Sequence, residues 1–174
     1  MKNRYSLLQI SLHWLTLLLI VLTYAAMLTR GYFPEDQKPW VRLLHYNFGI
    51  AVWVLVFIRI GLRHRYLSPP ITPPIAQWQS LLATLMHWCL YLLFLALPIL
   101  GVLTLEYGGR SLVFLGWQVP QFVTPDPATR SWVKNTHELL ASVGYYVIAL
   151  HALAALFHHY IIKDDTLKRM MPGK

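Results

Sequence analysis

The sequence is poor in charged residues and nearly free of cysteine. Charged residues make up 13% of its 174 residues, about half of the roughly 25% found in soluble domains. Hydrophobic residues make up 56%, which excludes an intrinsically disordered chain, because such chains are rich in charge and poor in apolar residues. The single cysteine, Cys89, excludes an internal disulfide and any zinc or iron–sulfur site built on several cysteines.

Acidic residues are also scarce. The chain has 7 of them against 15 lysines and arginines, which gives a formal net charge of +8. The basic residues do not form a stripe of the kind that binds nucleic acid. They stand between long apolar runs, where cations can face lipid headgroups. The pattern therefore predicts a lipid bilayer as partner and no nucleic acid.

Four apolar runs organise the chain. They cover approximately residues 7–29, 40–62, 78–105 and 131–162. Each is long enough to cross a hydrocarbon core of about 30 Å as a helix, and a membrane span must satisfy its backbone hydrogen bonds internally. We therefore predict an all-α integral membrane protein, a four-helix bundle forming one domain over residues 1–174. Alternatively the first run is a signal peptide, although it is long for one.

The distribution of lysine and arginine predicts the orientation in the membrane. Nine of the 15 lie near the termini or near the connection between the second and third runs: Lys2, Arg4, Arg59, Arg63, Arg65, Lys163, Lys168, Arg169 and Lys174. The other six are Arg30, Lys38, Arg42, Arg110, Arg130 and Lys134. Cytoplasmic segments carry the excess of these residues. Both termini are therefore predicted to be cytoplasmic, in a bacterial inner membrane.

Two connections have a distinctive composition. Residues 63–74 are basic and proline-rich, which predicts a stiff, extended cytoplasmic link. The connection over residues 106–130 is longer than a four-helix bundle usually needs. Its apolar segment, residues 111–117, is interpreted either as an interfacial anchor or as a cap over a site beneath it.

Eight histidines are many for a small membrane protein, and ionisable groups inside lipid are costly and usually functional. His137 and His151 give the strongest constraint. Fourteen residues advance a helix by about 21 Å and return it to within about 40° of the starting face. The fourth helix should therefore present two imidazoles on nearly the same face, at two depths.

Each of these depths has a partner histidine on another helix. His45 matches His137 near the outer side, and His13 matches His151 near the cytoplasmic side. Two histidines facing each other across a helical bundle are a common way to hold a b-type haem. We therefore predict two haem b groups, with the four histidines as iron ligands and about 20 Å between the irons.

Two glycines lie near these histidines and would let a flat macrocycle approach the backbone. Gly49 follows His45 by one turn, and Gly144 lies midway between His137 and His151. Other interpretations remain. The histidines could form a polar core that bonds across helices. Zinc would need four converging imidazoles, which the 14-residue separation forbids.

The remaining histidines have less certain roles. His87, in the inner half of the third run, is the main rival for the inner ligand and otherwise a candidate for a quinone pocket. His158 and His159 end the fourth run, where they either cap the helix at the interface or face the same pocket. The sequence does not predict a role for His64, which lies in the cytoplasmic link.

Several short segments now suggest a family. They are residues 10–14 (ISLHW), 44–45 (LH), 97–101 (LPILG), 137–141 (HELLA), 150–152 (LHA), 158–160 (HHY) and 169–172 (RMMP). In this order, and over nearly the whole chain, they resemble the bacterial di-haem cytochrome b561 family. The resemblance implies that His45 with His137 holds the outer haem and that His13 with His151 holds the inner one.

The resemblance also implies a reaction, transfer of electrons to membrane ubiquinone. It is strongest to stand-alone members that oxidise periplasmic superoxide to oxygen. The outer cations that could attract superoxide are then Arg30, Lys38, Arg42, Arg110, Arg130 and Lys134. Arg130 and Lys134, one or two turns before His137, are expected over the outer haem, and His158 and His87 near the quinone. One alternative is a haem-carrying anchor subunit for a soluble dehydrogenase or hydrogenase. Another is a haem-free helical scaffold or transporter.

Overall fold

Four long helices dominate the computed structural model, which describes residues 4–172. They are α1 (Leu7–Thr29), α2 (Lys38–Arg65), α3 (Gln77–Glu106) and α4 (Pro127–Phe157). A π-helical turn, His158–Ile162, continues α4, and each helix is long and apolar enough to cross a membrane. The four predicted runs agree with these bounds to within four residues. Lys2 and Lys174, which entered the orientation argument, lie outside the described residues.

Local sequence signals explain where the helices begin. Ser6 and Gln9 form a capping box at the start of α1, in which each side chain bonds the other residue's backbone N–H. Asp126 caps α4 by accepting hydrogen bonds from the N–H groups of Ala128 and Thr129. The hydrogen bond from the Thr129 hydroxyl, with those two N–H groups, holds the pKa of Asp126 below its usual range.

The bundle is packed unevenly. Helix α1 packs most extensively on α2, and α3 on α4, with a smaller contact between α2 and α3. An apolar cluster fills the middle of the bundle: Ile20, Val52, Val56, Leu93, Phe94 and Leu97. Large apolar side chains on the outward faces are exposed, among them Leu18, Leu92 and Leu153. This arrangement is expected of helices that face lipid.

At the outer end, where α1 ends and α2 begins, a hairpin folds back onto the bundle. Its strands are β1 (Val113–Phe114) and β2 (Trp117–Gln118), paired antiparallel. The Asn47 side chain of α2 donates to the Val113 carbonyl at 3.2 Å and accepts from the Leu115 N–H at 2.8 Å. Segment 111–117 therefore folds back onto α2, as a cap would, while its Leu115 and Trp117 side chains remain exposed, as an interfacial anchor requires. Both interpretations stay predictions, and no strand was expected there.

At the inner end, three segments are tied together into what we call the inner clasp. The link 66–76 exchanges hydrogen bonds with the C-terminal segment between Thr72 and Asp165. Arg169, only 7% exposed, donates to the Pro69 carbonyl. The first part of α1 joins through the Trp14 indole, which donates to the Met170 carbonyl at 2.8 Å. The link has no helix or strand over residues 66–76 and is held against the bundle by these contacts.

Candidate functional site

The outer pair of predicted histidines meets across the bundle. The ring centroids of His45 on α2 and His137 on α4 are 6.2 Å apart. Both rings line a cavity of about 560 Å³ that opens between the helices. This volume is within the range of small-molecule and cofactor sites, about 300–1,000 Å³.

Backbone carbonyls orient both outer rings. His45 Nδ1 lies 2.9 Å from the Thr23 carbonyl, and His137 Nδ1 lies 2.9 Å from the Leu97 carbonyl. A carbonyl can only accept, so each Nδ1 must carry the hydrogen and each Nε2 keeps its lone pair. This tautomer and this kind of second hydrogen bond are those of metal-binding histidines. Both outer rings are therefore prepared to bind a metal through Nε2.

The inner histidines form a group of three. His13 on α1 lies 6.3 Å from His151 on α4, measured between ring centroids. His87 on α3 lies 5.7 Å from the same His151 ring. The sequence argument left His87 without a partner at its depth, whereas the structure brings it to the inner pair. His87 Nδ1 contacts the Ala83 carbonyl on its own helix, so its Nε2 is also free to accept.

The separations within the two predicted pairs can be tested against haem geometry. An imidazole nitrogen lies about 2.0–2.1 Å from a bound metal and about 1.1 Å from its own ring centre, so two imidazoles that held one metal between them would have centroids about 6.2–6.4 Å apart. The observed 6.2 and 6.3 Å fit that range at both depths. Rotation about the axis through the metal does not change this distance, so ring angles of 78° and 62° are compatible with it.

The mouth of the outer cavity is strongly basic. Five cations line it: Arg30, Arg42, Arg110, Arg130 and Lys134. Glu138 is the one acid among the residues that line this cavity, and it pairs with Lys134 at 2.9 Å. Arg130 and Lys134 therefore lie at the outer histidines, together with three of the other four cations expected on that side. The fourth, Lys38, is not among the residues that line the cavity. Gly108 gives Arg130 its room, since an added Cβ would lie 2.8 Å from Arg130 Nε.

The two predicted glycines differ in role. An added Cβ at Gly49 would meet nothing within 4 Å, and Gly49 lines the outer cavity, as a macrocycle-facing glycine should. At Gly144 the space expected to receive the macrocycle is occupied, because an added Cβ would lie 2.4 Å from the Tyr24 hydroxyl. Tyr24 fills that space and donates to the Ala141 carbonyl at 2.8 Å. Gly144 thus admits a tyrosine that closes the gap between α1 and α4.

His158 is bound to a buried acid at the inner end. Its Nδ1 lies 2.5 Å from Asp164 Oδ2, and Asp164 is only 2% exposed. Burial alone would raise the pKa of Asp164, but hydrogen bonds from His158 and Thr166 hold it below its usual value. His159 packs its ring on Tyr160, with 4.8 Å between centroids, and His64 is exposed near the end of α2.

Sequence reasoning missed three residues at these sites. Arg59 contacts His13, with 3.0 Å between Nη2 and Nδ1. Its position inside an apolar run was a usable signal, because charged residues in membrane spans usually mark a site. Tyr24 and Asp164 gave no such signal, since each acquires its role only through contact with a distant helix or with the π-helical turn.

Comparison with known proteins agrees with this architecture. The family model described as prokaryotic cytochrome b561 matches residues 4–173. "Cytochrome b561 homolog 1" of Escherichia coli (strain K12) is 54% identical over 174 residues, covering 99% of each chain. "Probable superoxide oxidase CybB" of Yersinia pestis is 44% identical over 174 residues, covering 100% of this chain and 99% of its own.

A more distant relative, "Cytochrome b561 homolog 2" of Escherichia coli (strain K12), is 31% identical over 175 residues and covers 97% of this chain and 92% of its own. The family match extends over nearly the whole chain, in agreement with the four apolar helices. Membership in this family implies a b-type haem and electron transfer within a membrane. The chain belongs to the prokaryotic cytochrome b561 family, and it is a multi-pass membrane cytochrome.

Proposed function

We propose that this cytochrome holds two b haems and moves electrons from superoxide on one side of the membrane to ubiquinone near the other. The observation that carries the proposal is the pair of imidazole couples, His45 with His137 and His13 with His151, at 6.2 and 6.3 Å. The free Nε2 lone pairs of the outer rings support the same ligand set. His87 is the rival for the inner position.

His45 with His137 and His13 with His151 would each hold a haem, which would supply a one-electron couple at that depth. His137 and His151, 14 residues apart on α4, set the two sites about 20 Å apart along the helix axis. The apolar cluster between them keeps water out of the middle of the bundle. The protein's contribution is thus to fix two redox sites at two depths and to insulate them from solvent.

Superoxide is the proposed electron donor at the outer site. The five cations at the cavity mouth attract a small anion, and only one acid there opposes them. A relative at 44% identity carries the name "Probable superoxide oxidase", which supports this donor. Two superoxide anions lose one electron each and leave as two molecules of oxygen, so the outer site needs only single-electron steps.

Ubiquinone is the proposed acceptor at the inner end. It takes up both electrons and two protons to become ubiquinol, so its site needs a proton source. Asp164 accepts from His158 Nδ1 and so fixes the ring, which leaves Nε2 to deliver a proton drawn from the cytoplasm. His87, ten residues after the start of α3 and beside His151, is the second candidate. We place this end, with both termini, in the cytoplasm of a bacterium, and the chain in its inner membrane.

Stopped-flow reduction of the purified haems by superoxide tests the donor. We expect fast reduction that slows as salt rises, because exposed charges are screened over about 8 Å at physiological ionic strength. Arg130→Gln and Lys134→Gln should slow it further, whereas Arg65→Gln, at the opposite end of α2, should not. Slow reduction that neither salt nor these substitutions change would contradict superoxide as donor and favour an anchor subunit for a soluble dehydrogenase.

Reoxidation of the reduced haems by ubiquinone tests the acceptor site. His158→Ala and Asp164→Asn should both slow reoxidation and leave the visible spectrum unchanged, since neither residue belongs to a haem pair. His87→Ala distinguishes the two roles of His87. Loss of a haem would show that His87 is a haem ligand, whereas slower reoxidation with both haems retained would place His87 in the quinone site. Wild-type rates in all three variants would move the quinone site elsewhere.

A further inference from the structure

Arg59 is a charged residue inside a membrane-spanning helix, and its surroundings do not neutralise it. It lies six residues before the end of α2, about 9 Å along the helix axis from that end. Its guanidinium is partly buried, and among residues 4–172 no carboxylate lies within 4 Å of it. A buried charge is costly unless a counter-charge pairs with it. The described protein supplies no such partner.

The one side-chain hydrogen bond that the described residues offer Arg59 is to His13. Arg59 Nη2 lies 3.0 Å from His13 Nδ1. A guanidinium only donates, so Nδ1 must accept and the hydrogen of the neutral ring must be on Nε2. The outer histidines have the opposite arrangement, with Nδ1 donating to a carbonyl. His13 is thus held in the tautomer whose Nε2 cannot bind a metal.

Haem binding through His13 Nε2, as in the proposed function on which this step rests, would reverse that arrangement. The neutral ring would then carry its hydrogen on Nδ1, and Nδ1 and Nη2 would both be donors. Two donors do not hydrogen-bond, so the Arg59–His13 contact is incompatible with the loaded state. The guanidinium then requires a different acceptor within reach of the inner histidines.

We infer that Arg59 pairs with a propionate carboxylate of the inner haem, leaving His13 as the haem binds. The propionates are the anionic groups that haem brings into this part of the bundle. Arginine and carboxylate match in geometry, because two parallel N–H donors can meet both oxygens. The pairing would neutralise the buried cation and orient the macrocycle between α1 and α4 with its carboxylates toward the inner end of α2.

Arg59→Gln, Arg59→Lys and the control Arg63→Gln test this inference. Arg63 is one turn nearer the inner end and exposed. The measurements are haem content, a redox titration that resolves both haems, and the propionate bending band in the resonance Raman spectrum. Removing a cation stabilises the oxidised haem, so Arg59→Gln should lower the midpoint potential of the inner haem and shift its propionate band. The outer haem and the Arg63→Gln protein should match the wild type.

Arg59→Lys keeps the charge and loses the two-pronged geometry, so it should give a smaller potential shift in the same direction. If Arg59→Gln loses the inner haem, the shift and the altered propionate band in Arg59→Lys carry the test. Wild-type potential and propionate band in both Arg59 variants would overturn the inference. The underlying proposal would fail in a different way. A wild-type protein with only one haem, or an inner haem that is still bound in His13→Ala, would show that His13 is not a haem ligand, whatever the Arg59 variants do.

Discussion

At the bundle axis, the side chain on the facing helix decides which residue fits at a position, and Gly144 shows this most clearly. A methyl group there would lie 2.4 Å from the Tyr24 hydroxyl and 3.2 Å from Leu93 Cδ2. Gly144 is therefore required for α1 and α4 to approach through Tyr24, which bonds the Ala141 carbonyl. Gly61, also on a membrane helix, has nothing within 4 Å of an added Cβ and provides a matched control.

We predict that Gly144→Ala destabilises the protein by about 1–3 kcal/mol, the usual cost of overpacking a filled site. Gly61→Ala should be neutral or stabilising by up to about 1 kcal/mol, because alanine favours the helix. Tyr24→Phe should reduce the cost of Gly144→Ala, since it removes the oxygen that clashes. Thermal unfolding in detergent measures the wild type, the two alanine variants, Tyr24→Phe and the protein with both Tyr24→Phe and Gly144→Ala. Equal midpoints for the two alanine variants would disprove the packing argument.

The histidine pairs could be predicted from the sequence, whereas the contact between Gly144 and Tyr24 could not. Helical periodicity fixes the depth and face of His137 and His151, so their partners could be sought at equal depth. Whether a glycine faces a cofactor or a tyrosine depends on which side chain of another helix enters the gap. The residue pattern of α4 alone does not predict where the Tyr24 side chain of α1 lies.

The inner clasp shows how short elements close the inner end of the bundle. The π-helical turn His158–Ile162 and the left-handed Lys163 after it redirect the chain, so that Asp164 points back to His158. Arg169 then anchors the following segment on the link through the Pro69 carbonyl. None of these contacts follows from local propensity, which is why the sequence predicted an extended link and not a clasp.

Asp164→Asn should weaken the clasp by about 1.5–3 kcal/mol at pH 7, the range for hydrogen bonds to a charged group. The pKa of Asp164 is lower in the folded protein than its ordinary 3.8. Ionised Asp164 therefore stabilises the fold above about pH 4, and this stabilisation is lost as the pH falls through the native pKa. The stability gap between variant and wild type should persist from pH 8 to 5 and close in stronger acid.

Differential scanning calorimetry or a thermal melt at each pH measures that gap. Asp36→Asn, which changes an exposed acid at the outer end, is the control and should leave the melting temperature unchanged. An Asp164→Asn protein with the wild-type melting temperature at pH 7 would mean that the clasp does not depend on this carboxylate.

The whole molecule is polarised from end to end. The cavity with its five cations opens at the outer end, while the inner end carries the clasp, the third imidazole and Arg59. The four spans could be predicted from the sequence because length and hydropathy decide them. Arg30, Arg42 and Arg110 were expected on the outer side with Arg130 and Lys134. Their meeting at one cavity could not be predicted, because they come from separate segments that only the folded bundle brings together.

This polarity predicts the orientation in the membrane, with both termini in the cytoplasm. An alkaline phosphatase fused after Lys174 should be inactive in cells, because that enzyme matures only in the periplasm. The same enzyme fused after Asp36, in the connection between α1 and α2, should be active. Strong activity of the C-terminal fusion would invert the proposed arrangement, with superoxide then reaching the cavity from the cytoplasm.

The ratio of haem b to polypeptide in the purified protein, from the pyridine haemochrome, tests the two-site arrangement most directly. We predict about two haems per chain in the wild type and one in either His137→Ala or His13→Ala. The haem that remains should differ in midpoint potential between the two variants. His64→Ala, which changes an exposed histidine outside both pairs, should keep two. One haem per chain in the wild type, or two normal haems in His45→Ala, would contradict the paired-histidine account.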